Sequence, residues 1–150
     1  MKKLLLVVLL STMLSVSVMA GINAVIGMHT VHINDIDNEA SLNNDNRLLS
    51  LELQYKETMI NASTFENSFF RDSWAVGLRR NFGDKDIKMV SGLMLVKGYT
   101  KEEVWDIFYW KDDMSFLPVF GYNVKVSDNM SFDITLLGAA LNTAVKFKIR

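Results

Sequence analysis

Residues 64–82 read TFENSFFRDSWAVGLRRNF, and their alternation decides the fold. From Ser73 onward, Trp74, Val76, Leu78, Arg80 and Phe82 share one face, while Ser73, Ala75, Gly77, Arg79 and Asn81 share the other. A period of two belongs to a β-strand, whose successive side chains point to opposite sides. The polar groups Asn67-Ser68 and Arg71-Asp72-Ser73 mark a corner at which a preceding strand reverses into this one. The second face is too polar for a soluble core, and the first is too apolar for open water. Such a pairing fits the wall of a barrel with lipid outside and a partly polar lumen.

The same pattern recurs on both sides of the corner. Residues 23–33 read as a first strand whose alternation is blurred at Val25-Ile26, leaving open which of His29 and His32 faces inward. Residues 34–46 (NDIDNEASLNNDN) are rich in Asn and Asp, which bond their own backbone and favour turns, so they predict a long solvated loop. In 47–55, Leu49, Leu51, Leu53 and Tyr55 alternate with Leu48, Ser50, Glu52 and Gln54. A turn at 56–59 leads to a third strand at 60–68, and the fourth runs to Phe82. After a tight turn at 83–86 come a fifth strand at 87–98 and a second long connection at 99–113. A sixth strand at 115–126 is followed by a seventh, in which Met130, Phe132, Ile134 and Leu136 alternate with Ser131, Asp133 and Thr135, and an eighth at 142–150.

The fold class expected is therefore all-β: an eight-stranded antiparallel up-and-down transmembrane β-barrel, each strand about long enough for a tilted crossing. The connections after the second, fourth and sixth strands are tight, which marks that end as periplasmic. Assigning the small and polar face to the lumen divides it by polarity. Leu48, Ala75, Gly77, Met94, Val96, Leu117, Val119 and Leu137 fall at the outer end. Gln54, Arg79, Asn81, Lys88, Asn123, Lys125, Ser131, Asp133, Lys146 and Lys148 fall at the periplasmic end. The lower charges are expected to pair across the interior as a plug, because unpaired buried ions are too costly. The upper half is either simply filled by packing or holds something apolar.

The chain has 150 residues, enough for one domain. Lys2 and Lys3 precede an apolar run from Leu4 to Leu10, and Val18-Met19-Ala20 supplies a cleavage region, so 1–20 reads as a cleaved signal peptide and 21–150 as the barrel. Loss of the two lysines takes the net charge from −1 to −3; with no basic stripe, no nucleic-acid partner is expected. The absence of cysteine excludes disulfides, thiolate zinc and thiol catalysis.

On this topology His29 or His32, Asn67-Ser68 and Asp72-Ser73 converge on the outer rim. A hydroxyl, an imidazole to take its proton and a group to orient the imidazole are the parts of acyl transfer. The same residue types are also what hairpin corners and solvated rims ordinarily carry. Asp35, Asp37 and Glu39 have a calcium-like spacing, but Ala40 stands where a sharp turn needs Gly, and neither metal nor cofactor is expected. Trp105, Tyr109 and Trp110 suit either the headgroup level of an outer leaflet or a collapsed loop.

Several short motifs coincide along the chain: Gly27-Met28-His29-Thr30-Val31-His32, Asn43-Asn44-Asp45-Asn46, Phe65-Glu66-Asn67-Ser68, Ala75-Val76-Gly77-Leu78, Gly98-Tyr99-Thr100 and Leu117-Pro118. Together they resemble the PagP-like family of outer-membrane lipid A palmitoyltransferases and its shorter, partly phage-encoded relatives. The resemblance implies a monomeric barrel of the bacterial outer membrane that takes an acyl chain from outer-leaflet phospholipid and transfers it to lipid A. It implies catalytic roles for Ser68, for His29 or His32, and for Asn67, which stands where the family carries an acid. The family's amphipathic helix before the barrel has no counterpart expected here. The alternative reading is a non-catalytic outer-membrane barrel that modifies the cell surface by masking a receptor or resisting peptides.

Overall fold

The computed structural model describes residues 21–32 and 42–150. The expected signal peptide and the calcium-like spacing of Asp35, Asp37 and Glu39 lie outside these residues. The strands are β1 (Gly21–His32), β2 (Leu49–Tyr55), β3 (Thr58–Glu66), β4 (Asp72–Gly83), β5 (Ile87–Lys97), β6 (Tyr109–Lys111), β7 (Met114–Lys125), β8 (Met130–Leu137) and β9 (Ala140–Lys148). Each long strand pairs antiparallel with its neighbours in sequence, β5 pairs with β7, and β9 returns to β1. The result is a closed eight-stranded antiparallel barrel, with β6 a short flap on the outer end of β7. Among the described residues, closure leaves no long unpaired edge.

Side chains follow the pleat. Along β4, Trp74, Val76, Leu78 and Phe82 are exposed, while Ser73, Ala75, Arg79 and Asn81 are buried inside. Leu49, Leu51, Ile60, Ile87, Met89, Leu93, Phe116, Phe120 and Phe147 continue the exposed apolar surface around the barrel. A monomer in water rarely shows so much contiguous apolar surface. Among the described residues no helix is long and apolar enough to cross a membrane, which says nothing about crossing by strands.

The turns of the lower end are short, and the two chain termini of the barrel meet there, Ile22 N–H donating to the Arg150 carbonyl at 3.0 Å. The β2–β3 turn is tighter than the composition suggests: Lys56 takes a left-handed conformation (φ 53°), and β3 already starts at Thr58. Met59, expected in the turn, is therefore a fully buried lumen residue.

At the lower end Glu52, Arg79, Asp133 and Lys146 form a closed ring of charge. Arg79 contacts Glu52 at 3.1 Å and Asp133 at 2.8 Å, and Lys146 contacts Glu52 at 2.7 Å and Asp133 at 3.4 Å. Each charge touches two of opposite sign, which is the condition for keeping four ions away from water. Lys125 and Lys148, expected in this plug, are exposed instead, and Lys125 pairs with Asp128 of the adjoining turn. Their positions are the last of their strands, where a long side chain reaches water more cheaply than it can be buried.

Candidate functional site

The wall of β1 changes phase once. Up to Gly27 the odd-numbered residues Asn23 and Val25 face inward; a β-bulge between Gly27 and His29 then shifts the register, so that Thr30 and His32 face inward instead. An extra residue in one strand re-aims every side chain beyond it. His29 consequently points outward, exposed, opposite Thr143, whose hydroxyl donates to the His29 carbonyl at 3.1 Å. The bulge thus selects which histidine reaches the rim of the lumen.

His32 meets the corner between β3 and β4. Its Nδ1 lies 3.5 Å from the Ser68 hydroxyl, and its Nε2 lies 3.1 Å from the Asn43 carbonyl oxygen. A carbonyl can only accept, so Nε2 carries the proton and Nδ1 presents its lone pair to Ser68. Asn43 also fastens the first loop to the corner: its amide N–H donates to the Ser68 carbonyl at 2.9 Å, and its side-chain Nδ2 donates to the Asn67 carbonyl at 3.3 Å. In the sequence Asn43 stands among several turn formers and within Asn43-Asn44-Asp45-Asn46, and neither setting points to His32. Its position could not be read, since it depends on where a long loop folds back.

Asn67 does not orient the imidazole. Its Oδ1 accepts from the amides of Phe69 and Arg71, at 2.9 and 3.1 Å, closing the corner on itself as an Asx turn. Its Nδ2 donates to the Gly98 carbonyl at 2.6 Å. Gly98 has φ 127°, and a Cβ there would collide with Ser73, so only glycine brings that carbonyl within reach. The corner is further tied to the β5–β6 connection by an Arg71–Glu103 ion pair and by an edge-to-face contact of Phe69 with Tyr99, centroids 6.2 Å apart. Burial pushes the Tyr99 phenol above its ordinary range, with Ser68 beside it pulling the other way.

Below this mouth lies a cavity of about 530 Å³, within the range of roughly 300–1,000 Å³ usual for small-ligand sites. One wall is apolar, with Ala75, Met94, Leu117, Val119 and Leu137. The other, from β1 to β3, β9 and the loop before β2, carries Thr30, Asn46, Ser50, Asn61, Ser63 and Asn142 among the apolar Val25, Leu48, Phe65 and Ala144. Arg79 and Asp133 of the charge ring form the floor. Several neutral polar groups thus enter the upper half, which the sequence alone marks as apolar. Phe108 and Trp105, stacked with centroids 5.7 Å apart, stand at the mouth. Among the described residues no group of three or more His, Asp or Glu is arranged to hold a metal ion.

No family model matches the chain. No curated protein matches it either.

Proposed function

We propose that the chain is an outer-membrane barrel that draws one acyl chain of an outer-leaflet phospholipid into its upper well and transfers it to lipid A. What supports this reading most is the His32–Ser68 pair at the mouth of the well, with Nε2 held protonated by a backbone carbonyl and Nδ1 turned to the hydroxyl at 3.5 Å. That separation is long for a hydrogen bond, as catalytic contacts often are before substrate tightens them. The exposed apolar girdle supplies the argument for a bilayer outside, and the resemblance of the short motifs to those of PagP-like proteins suggests the donor and acceptor classes.

In this proposal Ser68 Oγ attacks the ester carbonyl while His32 Nδ1 takes its proton. Collapse of the tetrahedral adduct breaks the ester bond, and the imidazolium returns the proton to the departing lysophospholipid oxygen, leaving the acyl group on Ser68. A lipid A hydroxyl then attacks this acyl ester, its proton passing to His32 and on to Ser68 as the new ester forms. The Asn43 carbonyl fixes the tautomer but adds no full negative charge to stabilise the imidazolium.

A second reading, a non-catalytic barrel that alters the cell surface, draws on Asn67, whose side chain is wholly engaged by backbone. Mass spectrometry of lipid A from cells expressing the chain, or its Ser68→Ala form, separates the two. An added acyl chain that disappears with the substitution is the expected result. One that survives it removes Ser68 from the mechanism, and none in either strain favours the second reading.

A further inference from the structure

The hairpin formed by β6 and β7 grades from charged to apolar over a few residues. Its two-residue turn, Asp112-Asp113, takes left-handed backbone at both positions (φ 51° and 60°) and leaves both residues exposed. Next below come Lys111, whose ammonium lies 5.1 Å from the Trp110 ring centroid, and then Trp110 itself, 5.6 Å from the ring of Phe116. Phe116 and Phe120 are outward residues of β7 and belong to the exposed apolar girdle. Carboxylates, a lysine over an indole, then bare aromatic side chains follow the order met in passing from water through lipid headgroups into hydrocarbon.

The segment before β6 lies at the height of these aromatics and not above them. The Phe116 N–H donates to the Phe108 carbonyl at 2.8 Å, and the Phe108 N–H donates to the Trp105 carbonyl at 2.8 Å. Neighbouring strands about 4.8 Å apart and tilted by about 40° differ in height by only about 3 Å across such a bond. Ile107 and Trp105 are therefore held near the upper end of the girdle, yet they are 83% and 63% exposed. A loop folded for water turns its large apolar side chains inward. Here the packed groups are Glu103, paired with Arg71, and Phe108, stacked on Trp105, while Ile107 and Trp110 face out. We propose that residues 105–110 and the β6–β7 hairpin form an anchor in the outer-leaflet interface, with Trp105, Ile107 and Trp110 seated among lipid headgroups and the first acyl carbons. The partner is the lipid surface, reached by continuity with the girdle through Phe116. The inference rests on the bilayer part of the reading above and not on acyl transfer. Because Trp105 and Phe108 also border the well, the anchor fixes its mouth at the level of the lipid esters.

Trp74, Trp105 and Trp110 are the three tryptophans of the chain, which makes depth-dependent fluorescence quenching the test. Three variants each keep one tryptophan and carry phenylalanine at the other two positions, with folding checked by heat-modifiable mobility in gels. Each is refolded into phosphatidylcholine vesicles bearing a nitroxide on the headgroup, high on the acyl chain or near its end. Trp74, outward on β4, reports whether the wall itself is in lipid. Trp105 and Trp110 should each be quenched at least about twofold more by the headgroup nitroxide than by the one near the chain end, as befits interfacial tryptophans. If Trp74 is quenched but Trp105 or Trp110 is not, or is quenched best by the deepest nitroxide, the anchor is overturned while the bilayer reading stands. Absence of quenching at all three overturns both.

Discussion

Arg79 on β4 and Asp133 on β8 meet across the lumen at 2.8 Å, joining two walls that share no hydrogen-bonded edge. The contact closes the ring through Glu52 and Lys146 and separates the well from the lower mouth. Packing alone would leave a small barrel free to breathe; a four-charge ring ties strands on several sides to one another.

Breaking that ring from one side should be costly. Glu52→Gln leaves Arg79 and Lys146 facing a single carboxylate and is expected to destabilise the barrel by about 3–5 kcal/mol, the usual cost of an orphaned buried charge. Glu52→Gln combined with Lys146→Met keeps the Arg79–Asp133 pair balanced and should cost less than the two single changes added together. Urea unfolding of the barrel in vesicles measures the cycle, and strict additivity would show that the ring does not act as a unit.

The two histidines should separate cleanly. If acyl transfer is observed, His32→Ala is expected to abolish it while leaving the fold intact, since Nδ1 is the group turned to Ser68. His29→Ala should leave it within about twofold, as surface substitutions usually do. Lipid A mass spectra from both variants check this, and loss of activity in the His29 variant alone would reverse the assignment.

The barrel itself was legible because alternation survives in almost every strand, and a closed sheet is the arrangement that satisfies eight such strands at once. The phase of β1 was not, because a bulge changes the meaning of odd and even without changing composition. Val25 and Ile26 are both apolar yet face opposite ways, and nothing in their identity says which is inside. Ser68 could be singled out from its corner, but Asn43 reaches His32 through its backbone carbonyl, a group every residue possesses. The polar groups of the upper well were missed for a related reason. Ser50 was read only as the polar partner of outward leucines, and Asn61 and Ser63 sat in a strand whose faces were not sorted.

Asn67→Asp makes a sharp test of what the corner residue does. A carboxylate keeps the two bonds from the amides of Phe69 and Arg71, but it cannot donate to the Gly98 carbonyl and would oppose that oxygen across a 2.6 Å gap. The expected outcome is a corner loosened by about 1–3 kcal/mol, with no gain in acyl transfer. Protease sensitivity of the β5–β6 connection reports the loosening. A gain in transfer with an undisturbed corner would show that an acid at this position serves the imidazole after all.

The outer surface offers a prediction in which exposure and tolerance part company. Leu78 sits midway along β4, its side chain 56% exposed and pointing away from the lumen. Were that surface wet, Leu78→Arg would be nearly neutral, within about 0.5 kcal/mol like most surface changes. Facing the middle of a bilayer, the same arginine should cost about 2–4 kcal/mol, and less if placed nearer either interface. Arg80, one outward position lower on β4, already lies against Phe82, the cation 5.3 Å from the ring centroid, as a charge near an interface would. Refolding yields of Leu78→Arg and Phe82→Arg into vesicles, compared with the unsubstituted chain, measure the difference. A depth-dependent penalty, larger at Leu78 than at Phe82, is the expected outcome; equal and negligible effects at both would mean that water, not lipid, covers this face.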